Sequence, residues 1–330
     1  MSKFLKIAFF FFIGILLIWW SLHQIPPQEW DKFTTALKTT KYWIVLPVLL
    51  ILGFSHFLRA LRWRLIMEPL GYKPSIMNTY LAVLIGYLAN LAVPRLGEVL
   101  KCTLLSKYEK VPAEKIVGTI VAERAFDVLS LGIVFLLALT LQFNVIEAGW
   151  HQLQTKSSLA SQNPEQLNNQ HSLLFVFIGL TTLALVGIWI FRKKLKNTYS
   201  NIKRIALGIW EGVISATKLK KHNLFFLYSF GIWFMYLLAT YIGLMGTEGT
   251  TSSFATAISC LAYASIGMIL TPGGIGAYAY LMAKVLELNG IEYTLGLANG
   301  TVQWFAQFLI IIVLGGLSLI ILPIINKQVK

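Results

Sequence analysis

Eight apolar segments recur along the chain, at residues 4–22, 42–58, 76–93, 117–142, 172–191, 224–245, 253–271 and 296–322. Each approaches the roughly twenty apolar residues that a helix needs to cross the hydrocarbon core of a bilayer. Lipid offers no partner to a backbone N–H or C=O, so each segment must satisfy its own polar groups. The longest polar gap, Asn144 to His171, is too short to fold alone. The reading is therefore one all-α integral membrane domain over residues 1–330.

Composition narrows the partners. Of the 330 residues 56% are hydrophobic, and the net charge is +14. In a membrane chain, basic residues hold cytoplasmic loops on their own side, and no nucleic-acid motif interrupts the apolar runs. The two cysteines, Cys102 and Cys260, form no CxxC. The five histidines are scattered, without HxxxH or HExxH, so neither a metal nor a cofactor is expected. The first twenty residues resemble a signal peptide, with Lys3 and Lys6 ahead of an apolar run. They lack a small-x-small cleavage site and close on Trp19 and Trp20, which suits a retained first span with an interfacial anchor.

Charge then decides which segments cross. If all eight did, the basic loop 192–223 would lie outside, against the positive-inside rule. Loop 59–75 (Arg59, Arg62, Arg64, Lys73) and stretch 94–116 (Arg95, Lys101, Lys107, Lys110, Lys115) both read as cytoplasmic, yet only segment 76–93 separates them. The conflict disappears if residues 76–108 enter from the cytoplasm, turn at Pro94 and Gly97 in NLAVPRLGE, and leave on the same side. Loops 246–252 and 289–295 hold no Lys or Arg. Residues 253–288 therefore form a second hairpin, entering from outside, with PGGIG at its tip. The expectation is about six transmembrane helices plus two oppositely oriented re-entrant hairpins, an inverted repeat of the transporter kind. Eight plain spans are the alternative. Residues 195–217 have helical apolar periodicity with interspersed lysines, and read either as an amphipathic helix on the cytoplasmic leaflet or as a packed connector.

Charges at membrane depth mark candidate function. Glu123 and Asp127 share a helix face, and Arg124 and Asp127 are spaced to pair. Together they line a path, or snorkel at a cytoplasmic end. Arg95 and Glu98 flank the first hairpin break, where a helix N-terminus attracts anions. Glu98 is placed to pair with Arg124 or to meet a cationic head group. Arg59, Arg62 and Arg64 either set topology or capture phosphate at the cytoplasmic mouth. Gln303 and Gln307 share a face of the last span and either line a path or bond between helices. No catalytic triad, P-loop or dinucleotide fingerprint is present.

Asn90, Pro94, Gly97 and Glu98, then Glu123, Arg124 and Asp127, then Pro272, Gly273, Gly274, Ile275 and Gly276 stand in an order and spacing that resemble the lysylphosphatidylglycerol synthase transmembrane-region, or flippase-like, family. LRALRW, at Leu58–Trp63, resembles it too. The resemblance covers nearly the whole chain. It implies a multi-pass protein of a bacterial cytoplasmic (inner) membrane, with both termini cytoplasmic, that translocates a phospholipid or another amphiphile. The candidate path comprises Asn90, Pro94, Arg95, Gly97, Glu98, Glu123, Arg124, Asp127, Pro272, Gly273, Gly274, Gly276 and Gln303. Synthases of this family carry a soluble aminoacyl-transferase after the membrane part. This chain ends at Lys330, just after its last span, so lysyl transfer is not expected. Members often carry an acid shortly after PGGIG, where this sequence has Ala277, Tyr278, Ala279 and Tyr280. Tyrosine hydroxyls there would suit a neutral or sugar head group. The expected partners are membrane lipids: an anionic or modified phospholipid, or a glycolipid. The alternatives are an accessory subunit that presents lipid to a synthase or glycosyltransferase, and a proton-coupled small-solute transporter.

Overall fold

The computed structural model describes residues 3–93, 95–143, 219–250 and 253–327. The segment 172–191 and the amphipathic stretch 195–217 fall outside the described residues, as does Pro94. Those described up to Gln142 and from Leu219 onward belong to one compact unit. Every regular element among the described residues is helical. The helices are α1 (Lys3–His23), α2 (Trp30–Thr39), α3 (Val45–Met67), α4 (Ile76–Ala92), α5 (Leu96–Glu109), α6 (Ala113–Leu141), α7 (His222–Leu244), α8 (Phe254–Leu270), α9 (Ala277–Leu288) and α10 (Tyr293–Ile325).

Four of these are long and apolar enough to cross a bilayer: α3 with its flanking turns, α6, α7 and α10. They carry large apolar side chains on their outer faces, such as Leu46 and Leu50 on α3, Val121 and Leu136 on α6, Phe230 on α7 and Ile320 on α10. Such a surface needs hydrocarbon around it. The chain is an integral membrane protein with several passes.

The helices α4 and α5 form an antiparallel hairpin, as do α8 and α9. The α5 and α9 arms have 14 and 12 residues, so at 1.5 Å per residue they reach about 21 Å and 18 Å, short of a full crossing. Both hairpins are closed by glycine. On α4, Gly86 faces Gly97 of α5, where a side chain on Gly97 would run into the Gly86 carbonyl. On α8, Gly267 lies against the backbone of Ala277 and Tyr278. Asn90 Oδ1 accepts from the Gly97 N–H at 2.7 Å, which caps α5 from across the turn.

Helix α10 runs 33 residues and shows how the hairpins are directed. Near its start, Gly296 and Gly300 pack on Ala283 and Ala279 of α9. About a third of the way along, the Trp304 indole donates to the Gly273 carbonyl at 2.8 Å, at the tip of the second hairpin. Further on, Gly315 packs on Leu84 and Leu88 of α4. At the end, Asn326 exchanges hydrogen bonds with Asn78 at the base of α4, and Asn78 also donates to Glu109 at 2.6 Å. The hairpins therefore approach from opposite ends of α10, and their tips meet near its middle, where Gly273 faces Leu91.

The sequence reading erred in two places. Helix α2 was not anticipated. It is short and amphipathic, and buries Phe33 and Ala36 against Tyr293, Leu297 and Ala298. Helix α3 was expected to end at residue 58 and to leave the three arginines in a loop. It continues to Met67 and carries Arg59 and Arg62 into the interior.

Candidate functional site

Arg59 and Arg62 are three residues apart and so share one face of α3; Glu123 and Asp127 are four apart and share one face of α6. The two faces meet. Arg59 donates to Glu123 at 3.1 Å and also to Asp127. Arg62 donates to Asp127 at 2.7 Å and stands 3.5 Å from Glu123. Lys101 of α5 reaches the same place, with its Nζ 3.8 Å from Glu123 and within about 5.3 Å of the Trp63 and Tyr87 ring centres. Tyr236 of α7 accepts from Arg59 at 3.3 Å. Ser229, also on α7, accepts from Arg62 at 3.4 Å.

The cluster lies deep. Arg59 is 4% exposed, Arg62 and Glu123 0%, and Lys101 1%. Arg59 stands about 12 Å along α3 from its Met67 end, and Glu123 about 15 Å along α6 from Ala113. Snorkelling at a helix end does not account for such a position, and buried charges without partners would be costly. Pairing explains why α3 tolerates two arginines that hydropathy assigns to a loop.

A rim surrounds this core. Arg124 donates to Glu98 at 2.6 Å and approaches Asp127 at 3.9 Å. The Glu98–Arg124 pair, one of the two roles the sequence offered Glu98, is formed. Side-chain exposure grades from 0% at Glu123 through 15% at Asp127 to 26% at Glu98 and 39% at Arg124. The site therefore opens on the Glu98–Arg124 side.

The other sequence candidates sit elsewhere. Arg64 stands on α3, and its Nε donates to the Pro74 carbonyl at 2.7 Å, closing the turn after the helix. Arg95 is exposed at the tip of the first hairpin, in a left-handed conformation with φ 69°, and makes no ion pair among the described residues. At the other tip, Gly273, Gly274 and Gly276 all have positive φ, which glycine adopts without steric cost. Gly276 also lies against the α1 backbone at Gly14 and Ile18, and Pro272 is buried. Gln303 is buried, packs against Gly243 and donates to Asn299 at 2.8 Å. Gln307 donates to the Tyr278 hydroxyl at 2.8 Å. Tyr278 therefore faces the α9–α10 interface, and its hydroxyl is not presented to a head group as expected.

Sequence reasoning treated Lys101 as loop charge and passed over Tyr87, Tyr236, Ser229 and Trp63. The usable signal was complementarity: a basic pair and an acidic pair, each with helix-face spacing. Among the described residues, no group of three or more His, Cys, Asp or Glu side chains is placed to hold a metal ion.

Known proteins resemble this chain in sequence. A UPF0104 membrane protein of Pyrococcus horikoshii is 23% identical over 96% of this chain and 96% of its own length. Two such proteins of Methanocaldococcus jannaschii also match. One is 30% identical over 38% of this chain and 36% of its own length, the other 23% over 63% and 82%. No solved structure matches. The sequence pattern of the lysylphosphatidylglycerol synthase TM region matches residues 4–315, and the chain belongs to that family.

Proposed function

We propose that this protein translocates an amphiphilic lipid across a cytoplasmic membrane, with the α3–α5–α6 charge cluster and the meeting hairpin tips as its head-group path. The observation that carries the reading is the tip-to-tip meeting of two opposed broken helices near the middle of α10, beside buried charge. Opposed broken helices with a site between them are the architecture of membrane transporters. Charge kept at membrane depth is costly and marks function. The lipid's tails remain in the bilayer while its head group passes the polar notch. The hairpins are re-entrant in this scheme, the first from the cytoplasm and the second from outside.

Charge supports the orientation. The α10 C-terminal end of the molecule carries Lys73, Lys107, Lys110, Lys115, Lys220, Lys221 and Lys327 against Glu68, Glu109 and Glu114, whereas the opposite end carries Lys32, Lys38, Lys41 and Lys284 against Glu29, Asp31, Glu248, Glu287 and Glu292. By the positive-inside rule the basic end would be cytoplasmic, and both termini with it. The substrates would be anionic or modified phospholipids or glycolipids, and the protein acts as a transporter rather than an enzyme. It would hand lipid to, or receive it from, a lipid-synthesis enzyme.

The test is head-group scrambling by the purified protein in liposomes containing fluorescent phosphatidylglycerol, an aminoacylated lipid or a glycolipid. Movement of at least one of them above protein-free liposomes is expected. No movement of any of them would sink the reading.

A further inference from the structure

The buried core of the cluster does not balance. Taking each side chain as ionised, Arg59, Arg62 and Lys101 bring three positive charges, and Glu123 and Asp127 bring two negative ones. The rim pair Glu98–Arg124 is balanced and leaves the surplus inside. Hydrogen bonding is unbalanced in the same direction. Among the described residues Lys101 Nζ finds no hydrogen-bond partner, and neither does the Nε of Arg59 or of Arg62, against two carboxylate oxygens that also lack one, Glu98 Oε2 and Glu123 Oε2, the latter 3.8 Å from Lys101 Nζ. All three side chains are more than nine-tenths buried. Surplus donors in a dry interior call for an acceptor with several oxygens, and guanidinium groups match planar and tetrahedral oxyanions best.

Among the acidic groups Asp127 differs from Glu123. Glu123 is fully enclosed, whereas Asp127 lies at the edge of the cluster, partly exposed and next to the rim. It bridges the two arginines, with one carboxylate oxygen on each. An anion arriving past Glu98 and Arg124 would meet Asp127 first, in the position it needs itself.

We propose that Arg59, Arg62 and Lys101 form a phosphate-class oxyanion site, and that Asp127 is a displaceable carboxylate that holds this site shut. The proposal rests on reading the cluster as the head-group site and names the chemistry it would take. The incoming phosphate oxygens replace Asp127 on the guanidinium groups and give Lys101 the acceptor it lacks. Asp127 turns toward Arg124, which already lies 3.9 Å away. Emptying the site brings Asp127 back, so the chain carries its own competitor for the ligand.

The experiment uses the full chain in neutral detergent and follows thermal unfolding. Its arms are inorganic phosphate, short-chain phosphatidylglycerol micelles and sodium chloride at matched ionic strength. Wild type should gain melting temperature over the chloride arm. Asp127→Asn should bind on the order of tenfold more tightly, since the competing charged acceptor is gone. Lys101→Met, which removes a buried cation that makes no hydrogen bond while keeping its bulk, should fold and lose the response. A gain with phosphate itself means the oxyanion suffices; a gain with phosphatidylglycerol alone means the lipid head group is required; either supports the site. No gain over chloride for wild type or Asp127→Asn overturns the proposal, and so does a Lys101→Met response equal to that of wild type. If Asp127→Asn does not fold, the comparison of wild type with Lys101→Met decides. Scrambling is a separate readout: anion binding without lipid movement would defeat the transport reading and leave this site standing.

Discussion

Gly97 and Gly86 pass each other with their backbones in contact. A Cβ on Gly97 would stand 2.7 Å from the Gly86 carbonyl carbon and 2.8 Å from the Asn90 side chain. The obstacle is backbone, which cannot turn aside as a side chain would. Gly97→Ala is therefore expected to separate α4 from α5 and to cost at least the roughly 1–3 kcal/mol typical of overpacking. Gly132 on α6 has nothing within 4 Å of its added Cβ. Gly132→Ala should be neutral or stabilise by about 0.5–1 kcal/mol through helix propensity. Thermal unfolding in detergent reads both, and equal melting points for the two variants would contradict the hairpin geometry.

Glu123 accepts from Arg59, approaches Arg62 and Lys101, and is fully buried. Removing it leaves three cations facing Asp127 alone. Glu123→Ala should lose about 3–5 kcal/mol, the range for breaking a buried pair from one side. Arg124→Ala, at a half-exposed rim pair, should cost under about 1 kcal/mol. The measurement is denaturant or thermal unfolding of each variant. The prediction is the ranking, with Glu123 far above Arg124.

Lys110 and Glu292 are exposed at opposite ends of the molecule, beyond the bases of the first and second hairpins. Cysteines placed there report sidedness. Lys110→Cys should react with a membrane-impermeant maleimide only in inside-out vesicles, and Glu292→Cys only in right-side-out ones. Labelling of both from the same side would exclude hairpins of opposite entry.

Arg95 holds φ 69° at the N-cap of α5, a left-handed conformation that costs a non-glycine residue about 1 kcal/mol or more. Arg95→Gly should thus raise the melting temperature slightly. If the guanidinium at the hairpin tip serves transport, the same variant should slow scrambling, whereas Gly132→Ala should not. A more stable variant with unchanged transport would limit Arg95 to a turn residue.

The architecture was legible where lipid imposes it. Apolar length announced the helices, and Pro-Gly breaks between flanks of like charge, basic for the first hairpin and free of Lys and Arg for the second, announced the hairpins, because lipid tolerates few other arrangements of backbone and charge. What escaped depended on contacts between distant segments. Arg59 and Arg62 read as loop residues because hydropathy prices each charge as if it stood alone, and their neutralisers lie more than sixty residues away. Lys101 was missed for the same reason. Helix α2 escaped because its apolar face is narrow and its partner is the start of α10. The Tyr278 hydroxyl read as free because its acceptor role depends on Gln307, on another helix.

One helix sets the depth of both hairpins. Gly300 on Ala279 and Gly315 on Leu88 fasten the two arms to α10 about 22 Å apart along its axis. Between these points α10 is a ruler. The spacing of the two fastening points is counted in its residues, and each residue added or removed there changes that spacing by about 1.5 Å and turns one contact face by about 100°. Length variation in this family should therefore gather in the loops and avoid the stretch from Gly300 to Gly315, where a single deletion would put the two tips out of register without touching either of them.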